Sequence, residues 1–524
     1  MRNLQQEAID FLADPDSYTP GPEKVERRET HGSIVFLAGD RAYKLKRAVR
    51  YPYLDYSTPE ARKTMCTREL AINRRTAPEL YLEVRAIVRD GHGRLRFGSA
   101  DTSSAAVDWV VVMKRFEESA LLAEMRRHGL VTPQLIRGLG ETIADFHAGT
   151  EVVRTSGGAA GIGAVIDENA ALLRQCAEDS ADAGRIERLE NLTRTAFIRL
   201  TSLLDARREA GRVRRCHGDL HLNNICVLGG RPVLFDAIEF NDEFSCIDVL
   251  YDLAFPLMDL LRYKLRACAN ALLNRYLEKT ADYEGLAALP LFLSCRAAIA
   301  AHVAVSRARE TGQPEDAARA RTGFSGMVEL ATACLDRSQP RLMAVGGLSG
   351  TGKSTLAYGL APSIPPPPGA IVLRSDILRK RLVGVPETER LPASVYTTAM
   401  HDRVYAELAR LAAAILSAET SAITDAVLGE PEHRQAMARV AADAGVAFVG
   451  LWLDAPAPTL EARITARRLD ASDATADVLH RQLAHVRAPA DWIKVDAAES
   501  AARTLESTRR LLGEPYSCDG EDIT

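Results

Sequence analysis

The sequence lacks an excess of charge of either sign, a paired-cysteine pattern and an internal repeat. The formal net charge at pH 7 is only −4, and basic residues are scattered among acidic ones, so no basic patch for a nucleic-acid backbone is visible. The nine cysteines are odd in number and show no CxxC or Cys/His ligand spacing, which speaks against a zinc site or a disulfide framework. We expect reduced thiols, a cytoplasmic location and no nucleic-acid partner.

Long uninterrupted apolar runs are also missing. The first residues mix acids into their apolar pattern and contain no apolar signal core. The longest apolar stretch, from Ala287 to Ser306, is broken by Arg296 and His302, so it falls short of the roughly 18 uninterrupted residues that a membrane helix needs. We therefore expect no membrane-spanning segment and no secretory leader.

The 524 residues are too many for one hydrophobic core and predict two or three domains. From Lys24 to about Phe116, short β-like runs alternate with turns, except for a helical stretch near Pro59 to Arg75. From Ser119 to about Asp336 the pattern is helical, interrupted by a β-rich island from Arg214 to Glu239. This predicts an α+β domain with a small antiparallel lobe and a helical lobe that carries a loop-rich site.

Beyond a polar link at Arg337 to Pro340, strand-like and helix-like segments alternate to the end of the chain. Such alternation predicts an α/β domain with a parallel sheet covered by helices on both faces. The predicted strands are Leu342 to Gly347, Ile371 to Ser375, Ser421 to Asp425 and Ala447 to Leu453. The predicted domains are an N-terminal helical extension at 1–23, a kinase domain at 24–336, a P-loop domain at 340–515 and a tail at 516–524.

A glycine-rich segment after the first of these strands fits the pattern GxxxxGK[ST] and precedes a helix. Glycines allow backbone N–H groups to surround phosphate oxygens, the lysine reaches the terminal phosphates, and the hydroxyl that follows can hold Mg²⁺. We therefore assign a nucleotide-binding role to Gly347, Ser349, Gly350, Thr351, Gly352, Lys353 and Ser354.

Two acids follow the next strands of this predicted sheet. Asp376 comes after the second strand, at the sheet edge where ligands of open α/β folds bind, so it is a candidate general base for a substrate hydroxyl. Asp425 ends the third strand and is a candidate Mg²⁺ ligand of the Walker-B type. The alternative for each acid is a helix N-cap.

Arginines four and five positions apart follow on a helix, with Arg463, Arg467 and Arg468 in one short segment. Such cations can stabilise the charge of a transferring phosphoryl group, although a solvated helix face is the alternative. From about Pro340 to Gly513 the chain resembles the small-molecule P-loop kinases, a group that includes gluconate kinases, chloramphenicol phosphotransferases and zeta toxins. The resemblance implies that Asp376 contacts the acceptor and that Arg463 and Arg467 cover the phosphates.

The β-rich island of the first half carries a second constellation, HGDLHLNN, which begins at His217. Asp219 and Asn224 stand in an HxDxxxxN arrangement, and Asp236 ends the next β-like run. Phosphoryl transfer needs one carboxylate for the acceptor hydroxyl and an amide and a second carboxylate for Mg²⁺. We assign the first role to Asp219 and the metal to Asn224 and Asp236; a capped β-turn is the alternative.

An ATP lysine belongs on an earlier strand of such a domain. Lys44 ends the segment RAYK and is the candidate, but Lys46 shares its strand face, so a shift by one step remains open. Glu69 on the following helix is the predicted partner of the lysine, with Glu60 as the substitute. The turn from Thr30 to Ser33 is the candidate loop over the phosphates, although it departs from GxGxxG.

These motifs resemble the aminoglycoside-phosphotransferase and choline-kinase-like superfamily, whose signatures appear here as HGDLHLNNI, LFDAIEF and the lobe linker VVVMKRF. The whole arrangement resembles the bifunctional aminoglycoside phosphotransferase/ATP-binding proteins. The resemblance implies a protein-kinase-like two-lobed domain followed by a P-loop NTPase domain, with ATP and Mg²⁺ as cofactors. Antibiotic modification does not follow from it, because fold does not fix function.

Three hypotheses result. The first is an ATP-dependent phosphotransferase with two sites, each acting on the hydroxyl group of a small molecule. The second keeps the amino-terminal module as a nucleotide sensor that regulates a P-loop kinase or ATPase. The third makes the P-loop domain a motor-like ATPase on a macromolecule. The complete trio of Asp219, Asn224 and Asp236 favours catalysis, whereas the acceptors and the oligomeric state are not predicted.

Overall fold

The computed structural model describes residues 4–30, 32–51, 54–99, 106–311, 313–466 and 471–513. The predicted tail at 516–524 and the predicted phosphate ligand Arg467 lie outside these ranges. Contacts between residues divide the chain into two compact units, Met1–Ala164 with Thr201–Pro256 and Val165–Leu200 with Leu257–Thr524. The domain bounds predicted from the order of the motifs stay predictions.

The first part of unit 1 is a six-stranded antiparallel sheet with a helix on each face. Its strand order is β1-β2-β3-β8-β6-β7. The elements are α1 (Leu4–Ala13), β1 (Val25–Glu29), β2 (Ser33–Ala38), β3 (Arg41–Lys46), β4 (Arg50–Tyr51), β5 (Leu54–Asp55), α2 (Pro59–Asn73), β6 (Tyr81–Arg89), β7 (Leu95–Gly98) and β8 (Ala106–Lys114).

Alternation along the strands decides which side chains meet which helix. Val110 and Val112 of β8 pack in the core that includes Leu12 of α1, whereas Trp109 and Val111 pack with Cys66 of α2 on the other face. The same period of two residues places Tyr43 and Leu45 of β3 with α1. Lys44 and Lys46, the alternate residues of β3, therefore point toward the α2 face.

The remainder of unit 1 contains helices and two short antiparallel two-stranded sheets, β10 with β11 and β9 with β12. The predicted β-rich island is confirmed, with HGDLHLNN between β9 and β10 and Asp236 directly after β11. The elements are α3 (Leu122–Arg127), α4 (Pro133–Gly149), α5 (Gly158–Cys176), α6 (Ser180–Glu209), β9 (Val213–Arg215), β10 (Ile225–Leu228), β11 (Arg231–Leu234), α7 (Asp242–Ser245), β12 (Cys246–Asp248) and α8 (Val249–Arg262). The unit boundaries fall within α5, α6 and α8.

Unit 2 contains a five-stranded parallel sheet in the order β14-β15-β13-β16-β17. The predicted α/β architecture and its four strands are confirmed, and β17 is an additional edge strand that is mostly exposed. The elements are α9 (Arg266–Thr280), α10 (Leu289–Thr311), α11 (Pro314–Leu335), β13 (Arg341–Gly347), α12 (Lys353–Leu360), β14 (Ile371–Arg374), α13 (Ser375–Val383), α14 (Thr398–Ser417), β15 (Ala422–Asp425), α15 (Pro431–Asp443), β16 (Ala447–Asp454), α16 (Ala457–Thr465), α17 (Ala476–His485), β17 (Ile493–Asp496) and α18 (Ala501–Leu511).

One helical stretch of unit 2, Glu284–Arg309, is long and apolar enough to cross a membrane by length and composition. It covers most of α10 and is 67% buried within the protein. Burial of this extent is typical of a helix in the core of a protein, which can have the same length and apolar composition as a membrane helix.

Candidate active sites

Lys44 lies at the centre of the candidate site of unit 1. Its Nζ is 2.9 Å from Oε1 of Glu69 and 2.5 Å from Oδ1 of Asp236. Burial would lower the pKa of Lys44, but the carboxylates of Asp236 and Glu69 outweigh it and raise that pKa well above its ordinary value. Lys44 is therefore charged, and it connects the sheet to α2 and to the segment after β11.

Lys46 occupies a different position, with only 1% of its side chain exposed. Its Nζ lies 2.6 Å from Oε2 of Glu69 and also contacts the carboxylate of Glu239, which accepts a hydrogen bond from the Tyr56 hydroxyl. Lys46 thus holds Oε2 of Glu69, while Lys44 contacts Oε1 of the same carboxylate. The structure places Lys44 beside Asp236 and leaves Glu60 exposed, which favours the Lys44 and Glu69 pair over both substitutes.

Asp219 and Asn224 are brought together by the loop between β9 and β10. The Asn224 side-chain amide donates to the backbone carbonyl of Asp219 at 2.8 Å and to its Oδ2 at 3.1 Å. The Asp219 side chain is 38% exposed, so its carboxylate is accessible to a ligand. The predicted base and the predicted metal ligand therefore share one site.

Buried hydrogen bonds hold this loop in place. The Asp252 carboxylate accepts from the backbone N–H of His217 at 3.1 Å and of Gly218 at 2.9 Å. Gly218 has φ +85°, and a Cβ there would lie 2.7 Å from the carbonyl oxygen of Phe244, so only glycine fits. Burial lowers the pKa of His217, whose Nε2 lies 2.9 Å from the Phe235 carbonyl oxygen. Neutral His217 thus connects the loop to the residue before Asp236.

Asp236 has an unusual backbone conformation for a residue other than glycine, with φ +62°. Its N–H donates to the Tyr81 hydroxyl at 3.1 Å, and the next N–H, of Ala237, donates to Asn73 Oδ1 at 2.8 Å. Left-handed backbone at a carboxylate is typical of functional sites, because surrounding contacts must hold it there. These contacts direct the Asp236 side chain toward Lys44.

The P-loop of unit 2 connects β13 to α12, as predicted. Gly350 and Gly352 have φ +90° and +87°, and a Cβ on Gly350 would lie 2.8 Å from the carbonyl oxygen of Leu460. Lys353 begins α12, and its Nζ donates to the Leu348 carbonyl at 2.9 Å, so the lysine lies across the loop. The N–H of Ser349 donates to Gln482 Oε1 at 2.9 Å, a contact that α17 supplies.

Asp425 faces the P-loop because β15 lies directly beside β13. The Ser354 hydroxyl donates to Asp425 Oδ2 at 2.5 Å, and Arg374 Nε lies 3.5 Å from the same oxygen. Burial raises the pKa of Asp425, although Arg374, Lys353 and Ser354 act in the opposite direction. The next helix begins only at Pro431, so Asp425 is not its N-cap.

Asp376 lies in the first turn of α13, whose N-cap position is occupied by Arg374. Its Oδ1 accepts from Arg379 at 3.1 Å, and its side chain is 33% exposed. The N-cap alternative therefore does not apply to Asp376. The residue instead lies on the wall of a cavity of about 1280 Å³ that also includes Lys353, Ser354 and Asp425.

Arg463 lines the same cavity, but its guanidinium is already engaged. It donates to the backbone carbonyls of Ala497 and Glu499, both at 2.7 Å. In this arrangement Arg463 joins α16 to the segment after β17, and its predicted contact with phosphates stays a prediction. Arg467 lies outside the described residues, as does His31 of the predicted phosphate-covering turn in unit 1.

Comparison with known proteins finds a different protein family for each of the two parts of the chain that carry a candidate site. The model of the phosphotransferase enzyme family matches residues 55–289, and the model of an AAA domain matches residues 342–489. The protein named Uncharacterized protein Rv2004c from Mycobacterium tuberculosis is 32% identical over 491 residues, covering 92% of this chain and 94% of the relative. A Mycobacterium bovis protein, named Uncharacterized protein Mb2027c, matches with the same values.

The chain belongs to this family of fused phosphotransferase and P-loop proteins. Solved structures also match parts of the chain at low similarity. A choline/ethanolamine kinase family protein from Mesorhizobium loti covers 63% of this chain and 99% of its own, with 17% identity and a TM-score of 0.36. A gluconokinase from Sinorhizobium meliloti covers 34% of this chain and 94% of its own, with 19% identity and a TM-score of 0.26.

Several residues of the P-loop domain that line its cavity were not predicted. Tyr405 stacks on His433, with ring centroids 3.7 Å apart, and the ring of His401 lies 6.2 Å from that of Tyr405. Burial lowers the pKa of both histidines, which favours their neutral form near pH 7. Their spacing on separate helices, α14 and α15, leaves no local signal in the sequence.

Proposed function

We propose that this phosphotransferase carries two sites that each use ATP and Mg²⁺ to phosphorylate a hydroxyl group of a small molecule. The observation that carries the proposal is the position of Lys44, whose Nζ contacts both Glu69 and Asp236. A lysine fixed by one carboxylate and directed toward a second matches what phosphoryl transfer requires of a nucleotide site. The acceptor class and the cytoplasmic location remain parts of this proposal.

The residues present fit a magnesium ion at both sites. In unit 1, the Asp236 carboxylate lies beside Lys44. Asn224, whose side-chain nitrogen contacts Asp219, also carries an amide oxygen that would bind the ion. In unit 2, a hydroxyl and a buried carboxylate, Ser354 and Asp425, meet at 2.5 Å. Carboxylate and hydroxyl oxygens are the donors that Mg²⁺ prefers. Bound there, the ion would neutralise charge on the phosphate oxygens.

The residues of unit 1 would have different roles in phosphoryl transfer. Lys44 would bind the nucleotide phosphates, and Glu69, held by Lys46, keeps the lysine in position. Asp219 would accept the proton of the acceptor hydroxyl as its oxygen forms a bond to the γ-phosphorus. The bond from that phosphorus to the β,γ-bridging oxygen breaks at the same time, giving ADP and the phosphorylated acceptor.

The residues of unit 2 would support the same reaction with a P-loop and a different candidate base. The backbone N–H groups of the P-loop and the N-terminus of α12 favour phosphate, and Lys353, which begins α12, would bind the terminal phosphates. Asp376 would orient the acceptor hydroxyl and accept its proton, because it lines the cavity that Lys353 and Ser354 share. Arg379, at 3.1 Å from Asp376, would keep this carboxylate oriented.

A screen with labelled ATP tests the proposal. The full chain would be incubated with a metabolite extract, Mg²⁺ and ATP labelled on the γ-phosphate, and labelled products would be identified by mass spectrometry. We expect at least one phosphorylated small molecule that requires Asp219 and one that requires Lys353. Binding of ATP without transfer in the Asp219-dependent arm would instead support the sensor hypothesis for unit 1.

A further inference from the structure

Helix α9 covers the edge strand β14 of the P-loop sheet with two asparagine side chains. Asn274 accepts the N–H of Val372 at 2.7 Å and donates to the carbonyl of Ala370 at 3.1 Å, and Asn270 donates to the same carbonyl at 3.0 Å. An edge strand has unpaired backbone groups, and here the two amides bind them. Helix α9 is thereby fixed against the P-loop sheet within unit 2.

Arg275, which follows Asn274 on α9, contacts the segment after α13. Arg275 forms a bidentate pair with Glu387, at 2.6 Å and 2.7 Å, and a third hydrogen bond of 2.9 Å to Glu278. Its side chain is only 6% exposed. Buried bidentate pairs of arginine and carboxylate are strong and directional, so the position of Glu387 depends on Arg275.

Glu387 belongs to the segment between α13 and α14, residues 385–397, which we name the acceptor strap. Lys380 donates to the backbone carbonyl of Glu387 at 2.6 Å. Asp473 accepts from the Leu391 N–H at 3.2 Å and from the Tyr396 hydroxyl at 2.7 Å. Leu391 and Tyr396 line the cavity that contains Asp376, so these contacts fix one wall of the candidate acceptor site.

We propose that Arg275 is a positioning residue for the acceptor side of the P-loop site, acting through Glu387 on the acceptor strap. The inference rests on the proposed function of that site and names a residue that determines its acceptor binding. Arg275 lies within residues 55–289, which match the phosphotransferase family model rather than the AAA domain model. A helix from the phosphotransferase segment thus completes the P-loop site.

The test uses the full chain with three changes. Arg275→Met removes the charge at similar length, and Glu387→Gln removes it from the strap. Arg275→Glu with Glu387→Arg exchanges the partners, and Glu278→Gln is added to this exchanged pair because Glu278 contacts position 275. Arg410→Met is the matched control, because Arg410 forms an exposed pair with Glu407 on α14 of the same unit. Hydrogen exchange of the strap amides is measured by mass spectrometry, and AMP-PNP affinity is measured in a Lys44→Met background to isolate the P-loop site.

We expect roughly 10-fold faster exchange of the strap amides in each single variant, because a buried charge-assisted contact is lost. AMP-PNP affinity should stay within about 2-fold, since the strap does not form the phosphate cradle. The exchanged pair should restore much of the protection, and the control should match the wild type. For an acceptor found in the extract screen, KM should rise roughly 10-fold, with kcat within about 3-fold.

Unchanged strap exchange in both single variants would overturn the inference. So would faster exchange that extends equally to β13 and β15, because Arg275 would then be a general structural residue. Failure of the exchanged pair to restore protection would have the same meaning. The exchange data decide the role of Arg275 even if the wild-type chain transfers phosphate to no acceptor, a result that would overturn the proposed function instead.

Discussion

The hydroxyl of Ser354 donates a hydrogen bond to the carboxylate of Asp425, with 2.5 Å between the two oxygens. The contact exists because β15 pairs with β13, the strand that leads into the P-loop. A buried carboxylate whose partner is a hydroxyl is suited to exchange that partner for a cation. Its protonation should therefore couple the stability of the P-loop domain to pH and to Mg²⁺.

The stability of the P-loop domain without Mg²⁺ should decrease as pH rises. Because burial raises the pKa of Asp425, the folded chain holds this proton more tightly than the unfolded chain. The free energy of unfolding without Mg²⁺ should decrease as pH rises from about 3.9, the unfolded value, through the raised folded value. Mg²⁺ binding needs the carboxylate, so Mg²⁺ affinity should increase with pH over the same window.

Asp425→Asn tests this coupling. At pH 7 the variant should unfold at a higher temperature than the wild type in the absence of Mg²⁺, because the desolvation cost of the Asp425 carboxylate, which raises its pKa, is removed. Mg²⁺ affinity at this site should fall roughly 10- to 100-fold. Calorimetry with and without Mg²⁺ measures both effects, and Asp454→Asn, at the exposed end of β16, is the control. An unchanged Mg²⁺ effect in Asp425→Asn would argue against metal binding there.

The two lysines of β3 should respond differently to the same substitution. Lys44→Met should lower turnover at the unit 1 site by roughly 10²-fold or more, with a modest effect on stability because Lys46 still pairs with Glu69. Lys46→Met should cost about 3–5 kcal/mol of stability, since it leaves the buried carboxylate of Glu239 without its lysine partner. Denaturant unfolding and ATP turnover separate these effects. Equal effects of the two variants on both measurements would contradict the assignment of Lys44.

Asp219→Asn and Asp236→Asn should also have different effects on phosphoryl transfer and on nucleotide binding. Asp219→Asn should keep Mg²⁺-dependent AMP-PNP affinity within a few-fold, because Lys44 and Asp236 remain, while transfer falls roughly 10²-fold or more. Asp236→Asn should weaken Mg²⁺-dependent nucleotide binding itself. Titration calorimetry and product formation are the two measurements. Full transfer activity in Asp219→Asn would show that another group accepts the proton.

The sequence was sufficient for the features that depend on local patterns. The P-loop glycines, the HGDLHLNN loop and the alternation around Lys44 each have a spacing that follows from backbone geometry. The choice between Lys44 and Lys46 required the structure, because both residues face α2 and only three-dimensional contacts separate them. The role of Arg275 was also hidden, since 112 positions separate it from Glu387.

Edge features were the least predictable from the sequence. Strand β17 escaped prediction because three of its four residues are exposed, so it has little of the apolar pattern that identifies a buried strand. The engagement of Arg463 by the carbonyls of Ala497 and Glu499 depends on where that edge strand ends. Helical spacing alone indicated a row of cations but not their partners.

The most direct test of two independent phosphotransfer sites is a product profile of four forms of the full chain. These are the wild type, Asp219→Asn, Lys353→Ala and the double variant, each incubated with the extract, Mg²⁺ and γ-labelled ATP. The account predicts that each single variant loses a different set of labelled products, that Lys353→Ala still binds nucleotide at the unit 1 site, and that the double variant forms none. Loss of every product in either single variant, or a profile identical to the wild type in Asp219→Asn, would contradict it.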